Sequence, residues 1–379
     1  MTGQTRTEAT SHTPGSSLQA RAIGPLAIVL ALMLVPSAAG AAPAAPAATL
    51  KVMSYNVYYG AELEILFGAT TQQELFHLVD VVWNEVQETD LPARAASVAG
   101  QIAASDPHVV GLQETPLWRS QFPGDGSFSE ATTVRFDFLE LLLDALEARG
   151  RHYVVAATET NLDAEVPRLD LSSPSFIEDI RLTDRDVILV RADLPSNVFS
   201  FSNGQGEDFA NNLVFPSGIF AGVVVPRGWT SVDVSIAGRT VRVINTHLER
   251  VSPFHQELQG QEILDGPADT TLPTVVLGDL NSAATGGVPG QSDTLTYDAF
   301  VADGFVDAWD VKHDSDGFTC CQTGDLDDQS ALSERIDFVL ARGLEVSATT
   351  RIGEEEVDRT ASGLWPSDHC GVRAVLHVV

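Results

Sequence analysis

The sequence predicts an α/β protein with layered sheets. Short apolar, β-branched runs recur along the chain and are typical of buried strands, while longer segments between some of them repeat apolar residues at helical spacing. No Gly/Ser/Pro linker divides residues 50–379, so we interpret this range as one large domain preceded by an Ala/Pro-rich spacer at residues 42–49. A strand-only stretch at residues 187–244 fits poorly with a regular eight-fold barrel.

The predicted strands are short, rich in β-branched residues and bounded by turn residues. They cover residues 50–55, 108–112, 153–157, 187–190, 222–225, 232–236, 240–244, 274–277, 336–340 and 372–379. The predicted helices cover residues 71–89, 91–105, 136–148 and 254–264. In the third helix, Phe138, Leu141, Leu142 and Ala145 give one apolar face. Residues 196–221 are rich in Asn, Gly, Ser and Phe, and we expect a long loop or hairpin there.

Residues 1–41 resemble a secretory signal peptide. Arg21 precedes an apolar stretch at residues 26–35, and the small residues that follow fit cleavage near Ala41/Ala42. The apolar stretch is shorter than the roughly 20 residues of a transmembrane helix, although an uncleaved anchor is the alternative. We therefore expect a secreted or extracytoplasmic protein.

The charge balance excludes one class of partner. The 379 residues include 52 acidic and only 22 basic side chains, for a formal net charge of −30, and Lys51 and Lys312 are the two lysines. Broad, non-specific nucleic-acid binding needs many cations to neutralise phosphates, so the composition argues against it. A local arginine-lined groove remains compatible with the sequence.

The three cysteines, Cys320, Cys321 and Cys370, permit at most one internal disulfide. Neighbouring Cα atoms lie about 3.8 Å apart, closer than the ~4.4–6.8 Å usual for a bridge, so a bond between Cys320 and Cys321 would be strained. Either could instead pair with Cys370. No second Cys/His pair has the spacing of a zinc site.

Polar side chains suited to catalysis lie at the ends of the predicted strands. They are Asn56, Glu114, His247, Asp279 with Asn281, Asp337, and Asp368 with His369. Each one alone has an ordinary explanation, such as a turn cap, a surface ion pair or a buried histidine. Six such strand ends in one chain instead indicate a single polar pocket at the rim of a sheet.

The segments that carry these residues read SYN, GLQE, NTHLE, GDLN, RID and SDH in chain order. This order resembles the endonuclease/exonuclease/phosphatase superfamily, which includes deoxyribonuclease I, exonuclease III-type repair nucleases, bacterial sphingomyelinases and inositol-polyphosphate phosphatases. The likeness spans residues 50–379 and departs from the family at Leu280, where phenylalanine is common. It implies a four-layer α/β sandwich, with two mixed β-sheets packed face to face and helices outside.

Phosphoester cleavage requires charge neutralisation and an activated water. Carboxylate and amide oxygens are hard ligands that favour Mg²⁺, with Mn²⁺ or Ca²⁺ as alternatives. We expect Glu114 to be the first metal ligand, with Asn56 and Asp368 beside it, and the resemblance implies the same set.

The remaining site residues are expected to activate the water, to bind the phosphate oxygens and to orient a histidine. Asp279 is expected to orient or deprotonate the attacking water, and Asn281 to donate to a phosphate oxygen. His247 and His369 would hydrogen-bond the phosphoryl oxygens, and Asp337 would orient His369 and raise its pKa.

By analogy with the family, His247 would also have a carboxylate partner. Asp184 and Asp186 are the candidates, and the sequence does not choose between them.

These residues predict an exported, divalent-metal-dependent phosphoesterase, with DNA or RNA phosphodiesters as the first substrate hypothesis. A phospholipid or inositol-phosphate hydrolase is the alternative, and a non-catalytic binding protein is a weaker one. The choice depends on the loops. Helical residues 61–92 are expected to wall the cleft, and the phenylalanines of residues 196–221 either face a lipid or pack the base of the loop. No stable protein partner is implied, and we expect a monomer.

Overall fold

The computed structural model describes residues 48–169 and 177–378. The predicted signal peptide, residues 1–41, lies outside the described residues, as does most of the spacer. The last two spacer residues, Ala48 and Thr49, already belong to the first strand. Within the described residues, no helix is both long and apolar enough to cross a membrane.

The described strands and helices follow each other in mixed order. The strands are β1 (Ala48–Asn56), β2 (Val109–Gln113), β3 (Leu117–Gln121), β4 (Thr133–Asp137), β5 (Tyr153–Leu169), β6 (Ile177–Arg191), β7 (Phe199–Asp208), β8 (Leu213–Val214), β9 (Val224–Val225), β10 (Gly228–Ile236), β11 (Arg239–His247), β12 (Thr274–Asp279), β13 (Val306–Asp307), β14 (Asp337–Arg342), β15 (Glu345–Ile352) and β16 (Gly371–Val378). The helices are α1 (Gln72–Glu88), α2 (Leu91–Ser105), α3 (Phe138–Glu147), α4 (Pro253–Asp265), α5 (Thr296–Ala302) and α6 (Ala308–Lys312).

Two large mixed sheets contain most of these strands. The first has the order β15-β16-β1-β2-β6-β3-β4, with β5 also paired to β6, and the second has the order β13-β14-β12-β11-β10-β7. Strands β1 and β2 are parallel in the first sheet, and β11 and β12 are parallel in the second. Strands β8 and β9 form a separate small ribbon.

Three hydrophobic clusters define four layers. Between the sheets lie inward-facing side chains of both, among them Leu50, Val52, Val243 and Val275. The outer face of the first sheet is covered by α1, α2 and α3. The outer face of the second sheet is covered by α4 and α5. The predicted four-layer sandwich with helices outside is therefore confirmed.

The predicted helices agree with the structure to within two residues, because each has clear end signals. Thr71, Asp90 and Asp137 cap the first three helices by accepting backbone N–H groups. The strand predictions were less complete. Strands β5 and β6 are far longer than predicted, because residues 158–169 and 177–186 mix polar with apolar residues and lack a continuous apolar run.

Residues 196–221 form a hairpin excursion, as expected, but much of it is regular. It contains β7, β8 and the short helix Gly218–Phe220.

The sheet registers bring the polar strand ends to one edge. Parallel strands β1 and β2 end side by side, with Asn56 opposite Gln113. Parallel strands β11 and β12 likewise end with His247 opposite Asp279. Strand β14 runs the other way and begins at Asp337, directly opposite Asp279. Strand β16 also begins at this edge, because it runs antiparallel to β1.

Just below this edge the two sheets approach each other closely at Gly111. The side chain of Asn245 crosses from the second sheet and donates to the carbonyl of Leu112 at 3.1 Å. Its Oδ1 accepts from Gln113 Nε2 at 2.5 Å. A Cβ at Gly111 would collide with Asn245 and lie 3.1 Å from the Cβ of Leu277. The absence of a side chain at Gly111 therefore permits this polar tie between the sheets.

We expect Gly111→Ala to lower the free energy of unfolding by about 1–3 kcal/mol, because the added methyl group overpacks the contact between the sheets. Urea unfolding followed by circular dichroism measures the change. Gly100→Ala is the matched control, since Gly100 lies inside α2 with only ordinary contacts at its Cβ position, and alanine there is expected to be neutral or stabilising. Equal stability of both variants would contradict the proposed packing constraint.

Candidate active site

The polar strand ends surround a pocket of about 110 Å³. Six of the predicted site residues line it, namely Glu114, His247, Asp279, Asn281, Asp368 and His369. The other two lie directly behind them, with Asn56 against Glu114 and Asp279, and Asp337 against His369. The structure thus places all eight predicted residues at one site.

Asn56 joins two carboxylates from different sheets. Its Nδ2 donates to Glu114 Oε1 at 3.0 Å and to Asp279 Oδ2 at 3.1 Å. Its Oδ1 accepts the backbone N–H of Tyr58 at 3.1 Å. In this arrangement Asn56 positions the carboxylates, and its predicted role as a metal ligand remains a prediction.

Two site residues occupy left-handed backbone conformations at the points where their strands end. Glu114 has a φ of 52° and Asn281 has a φ of 49°. Such values are uncommon for residues other than glycine and are retained where the surrounding structure fixes them. In the second turn, Asp279 Oδ1 accepts the backbone N–H of Asn281 at 2.9 Å. The turns aim both side chains into the pocket.

His369 and Asp337 form a buried pair, with 2.8 Å between Nδ1 and Oδ2. Thr319 supports the pair, because its hydroxyl accepts the backbone N–H of Asp337 at 3.2 Å. Burial by itself lowers the pKa of His369, but the charges of Asp337 and Asp368 outweigh it and raise that pKa well above its usual value. These contacts agree with the predicted positioning role of Asp337.

His247 has different neighbours. Arg227 Nη1 lies 3.0 Å from its Nδ1, and the amide nitrogen of Asn281 lies 3.0 Å from its Nε2. Donors on both sides oppose protonation of the ring. Burial and, after it, the Arg227 charge lower the pKa of His247 well below its usual value. These surroundings favour the neutral form of His247, although Asp279 and Glu114 oxygens lie 3.6 and 3.9 Å from its ring nitrogens.

The structure pairs the His247 ring with neither of the two aspartates considered from the sequence. Asp184 accepts from the Tyr59 hydroxyl at 2.8 Å and from Asn161 Nδ2 at 3.3 Å, and it lies 3.8 Å from Arg227. The pKa of buried Asp186 is raised by desolvation and by the Asp184 charge. Asp184 therefore lies beside Arg227 rather than against the ring of His247.

The carboxylates of the pocket repel one another. Burial and the Asp368 charge raise the pKa of Glu114 well above its usual value. Burial, followed by the charge of Asp337, raises the pKa of Asp279 to about 6. Burial also raises the pKa of Asp368. A group of buried acids with raised pKa values is typical of a functional site.

Two carboxylate groupings at the site can be compared as cation ligands. Ligand atoms of Asp279, Asp337 and His369 lie within 4.8 Å of one another, but Asp337 and His369 already bond each other. The side chains of Glu114 and Asp368 keep 12% and 13% of their surface exposed, against 2% for Asp279. Because they combine hard oxygen atoms with access to the pocket, Glu114 and Asp368 fit a divalent cation better.

The sequence model that describes the endonuclease/exonuclease/phosphatase family matches residues 53–369. The chain belongs to this family. No curated protein sequence matches it.

Solved structures of the family share the fold. One is an endonuclease/exonuclease/phosphatase protein from Beutenbergia cavernae, with 24% identity and a TM-score of 0.51 over 87% of this chain and 72% of that one. Another is a family protein from Bacteroides thetaiotaomicron, with 18% identity and a TM-score of 0.53 over 88% of this chain and 99% of that one. At these identities the likeness concerns the fold.

Within this member of the family, a buried arginine that the sequence analysis did not identify holds two site loops together. Arg94 of α2 is fully buried, and its Nε donates to the carbonyl of Pro366 at 2.9 Å. Its Nη2 donates to the carbonyls of Val57 and Tyr58. Arg94 therefore fixes the loop after Asn56 against the loop that carries Asp368.

The cysteines lie beside the same loop. A disulfide joins Cys320 to Cys321, and the thiol of Cys370 is buried. The backbone of Cys320 pairs with that of His369 in an isolated antiparallel β-bridge, and Cys321 lines the pocket. Pairing of Cys320 or Cys321 with Cys370, one of the possibilities left open by the sequence, is not found.

We expect Asp337→Asn to lower the pKa of His369, because it removes the nearest negative charge. NMR titration of the histidine ring, assigned with His369→Asn, measures the shift, and Asp298→Asn is an exposed control. A raised folded-state pKa stabilises the protein below the unfolded value of about 6.5, and this stabilisation is lost as pH rises through the folded value. The destabilisation of Asp337→Asn should therefore be larger at pH 6 than above the pKa of His369. An unchanged His369 titration would contradict the pairing.

Proposed function

We propose that this protein is a divalent-metal-dependent phosphoesterase that hydrolyses a phosphodiester by attack of water at phosphorus. The observation that carries the proposal is the meeting of Glu114, Asp279 and Asp368 with His369 and Arg227 around one pocket. Anionic ligands for a cation and donors for a phosphate thus face the same small space. Membership of the family supports the same chemistry.

In the proposed reaction, a water oxygen forms a bond to phosphorus and the ester P–O bond breaks. Asp279 takes the proton of the attacking water, and the leaving oxygen is protonated from solvent. The raised pKa of Asp279 suits a group that accepts a proton near neutral pH. His369 and Arg227 donate to the non-bridging oxygens and stabilise the charge that develops there.

Glu114 and Asp368 would hold the cation, with Asn56 as the additional predicted ligand. A bound divalent cation supplies Lewis acidity and acidifies water. The oxygen ligands favour Mg²⁺ over softer metals. The charge of such a cation would also offset the mutual repulsion of these carboxylates.

The substrate and the location are separate parts of the proposal. Among the side chains that line the pocket, Arg227 and Arg250 are the permanent cations. Two arginines suit one phosphate better than a long polyanion track. A DNA or RNA substrate remains a prediction from the sequence. Export is proposed from the pattern at residues 1–41 alone, and its test is the N-terminal sequence of the protein recovered outside the cytoplasm.

We expect millimolar Mg²⁺ to raise the thermal midpoint of the protein and a chelator to reverse the rise. A ligand at about 100 times its Kd stabilises by about 2.7 kcal/mol. Glu114→Gln should lose most of the shift, since it removes one of the two proposed anionic ligands, whereas exposed Glu140→Gln should keep it. Differential scanning calorimetry at matched ionic strength measures both. A full Mg²⁺ shift in Glu114→Gln would exclude the proposed ligand.

We expect Asp279→Asn to lower kcat for bis(p-nitrophenyl) phosphate by about 10²–10⁴-fold, the range typical of a general base. Circular dichroism checks that the variant is folded, and Asp298→Asn serves as the exposed control. Undiminished activity of Asp279→Asn would exclude its assigned role. Inactivity of the wild type with Mg²⁺, Mn²⁺ and Ca²⁺ would instead favour the binding-protein alternative.

A further inference from the structure

A second cavity, of about 470 Å³, adjoins the polar pocket. Its walls are the short helix Leu63–Gly68, one face of α1, parts of β5 and β6, and residues 219–225. Volumes of roughly 300–1,000 Å³ are typical of small-molecule sites. The cavity is therefore large enough to hold part of a substrate.

Apart from Gln72 and Glu165, the side chains that line this cavity are apolar. They include Leu66, Leu75, Trp118, Ala164, Ile180 and Leu182. A nucleobase placed here would leave much of its polar edge without partners, which costs free energy. An apolar cavity of about 150 Å³ holds one benzene ring, so the present cavity has room for a larger apolar group. Its size and its apolar lining therefore favour a hydrocarbon chain.

The apolar cavity and the polar pocket share a wall. Leu63, Phe67, Leu162 and Val225 line both. Two residues after Val225, Arg227 reaches His247. A phosphate bound beside Arg227 would therefore have one of its ester substituents at the mouth of the apolar cavity.

Three aromatic rings pack together beside the cavity: Phe67 and Phe220 line it, and Phe215 contacts both. Phe67 lies 4.9 Å from Phe215 and 5.8 Å from Phe220, measured between ring centroids. They hold the hairpin excursion against the short helix. Beside them, Val223 and Val224 each keep 45% of their surface exposed. Apolar surface thus continues from the cavity to solvent, as an entrance for a hydrocarbon chain requires.

We propose that the substrate is a phosphoester that carries an aliphatic chain, with its phosphate in the polar pocket and its chain in the apolar cavity. This inference rests on the proposed phosphoester hydrolysis and adds the class of substrate. Burial of the chain supplies affinity without a basic surface, which is compatible with a net charge of −30.

A homologous series of p-nitrophenyl alkyl phosphodiesters, from methyl to octyl and below micellar concentrations, tests the proposal. Each buried methylene contributes about 0.8 kcal/mol, so kcat/KM should rise by about fourfold per methylene until the cavity is filled. The p-nitrophenyl ester of thymidine 5′-phosphate is the nucleotide competitor. The octyl ester should exceed both it and the methyl ester.

Ala164→Phe should lower the ratio of kcat/KM for the octyl ester to that for the methyl ester, because the added ring occupies the cavity. Val155→Phe is the matched control, since Val155 lies on the same strand, outside the lining, and is 39% exposed. This control should keep the wild-type ratio. Circular dichroism establishes that both variants fold.

The outcomes separate the two proposals. Activity that is independent of chain length, a preference for the thymidine ester, or an unchanged ratio in Ala164→Phe would overturn the aliphatic substrate and leave phosphoester hydrolysis intact. Inactivity towards every ester would overturn the hydrolase. In that case, calorimetric titration with butyl and octyl phosphate tests whether the cavity binds an aliphatic chain. Equal affinities for the two phosphates would overturn that binding as well.

Discussion

The alignment of the two sheets is the constraint on which the site depends. Residues of the first sheet and its loops supply Asn56, Glu114, Asp368 and His369, whereas the second supplies His247, Asp279, Asn281 and Asp337. A slide of one sheet over the other would separate these groups without breaking any strand pairing. The hydrogen bonds of Asn245 with Leu112 and Gln113 oppose such a slide, because Asn245 fits only beside Gly111, where the first sheet has no side chain. Polar contacts in an apolar interior specify one arrangement more strictly than hydrophobic packing does.

Electrostatic cost is the second constraint. Four carboxylates meet in a region that water barely reaches, and each unpaired charge there is expensive. The chain compensates locally: His369 bonds Asp337, and Asn56 donates to Glu114 and Asp279. Arg94 and Arg250 add positive charge near Asp368. The raised pKa values of Glu114 and Asp368 indicate that this compensation is incomplete. The proposed cation would supply the missing positive charge.

The site residues could be predicted because polar residues followed apolar runs at the same place in several strands, whereas the four-layer sandwich was implied by the family resemblance. A hydrogen bond to a backbone carbonyl places no demand on the residue type of the acceptor. No sequence pattern therefore identified Arg94 as a residue that supports the site. Arg227 was missed for a different reason: the predicted strand began at residue 232, whereas β10 begins at Gly228, directly after Arg227. The excursion phenylalanines divide between the two interpretations: Phe199 and Phe209 are buried, Phe201 is exposed, and Phe220 lines the apolar cavity with Phe215 packed against it. Choosing between them required knowing that Phe67, far away in sequence, lies opposite.

The extended segment from Val225 to Arg227 serves both pockets. Its first residue forms part of the apolar wall, and its last residue places a guanidinium on His247. A movement of this segment that widened the cavity would also move the Arg227 charge, which, after burial, lowers the pKa of His247. The shape of the cavity and the electrostatic surroundings of the histidine are therefore not independently adjustable. An insertion or deletion in this segment would therefore alter the lining of the apolar cavity and the surroundings of His247 together.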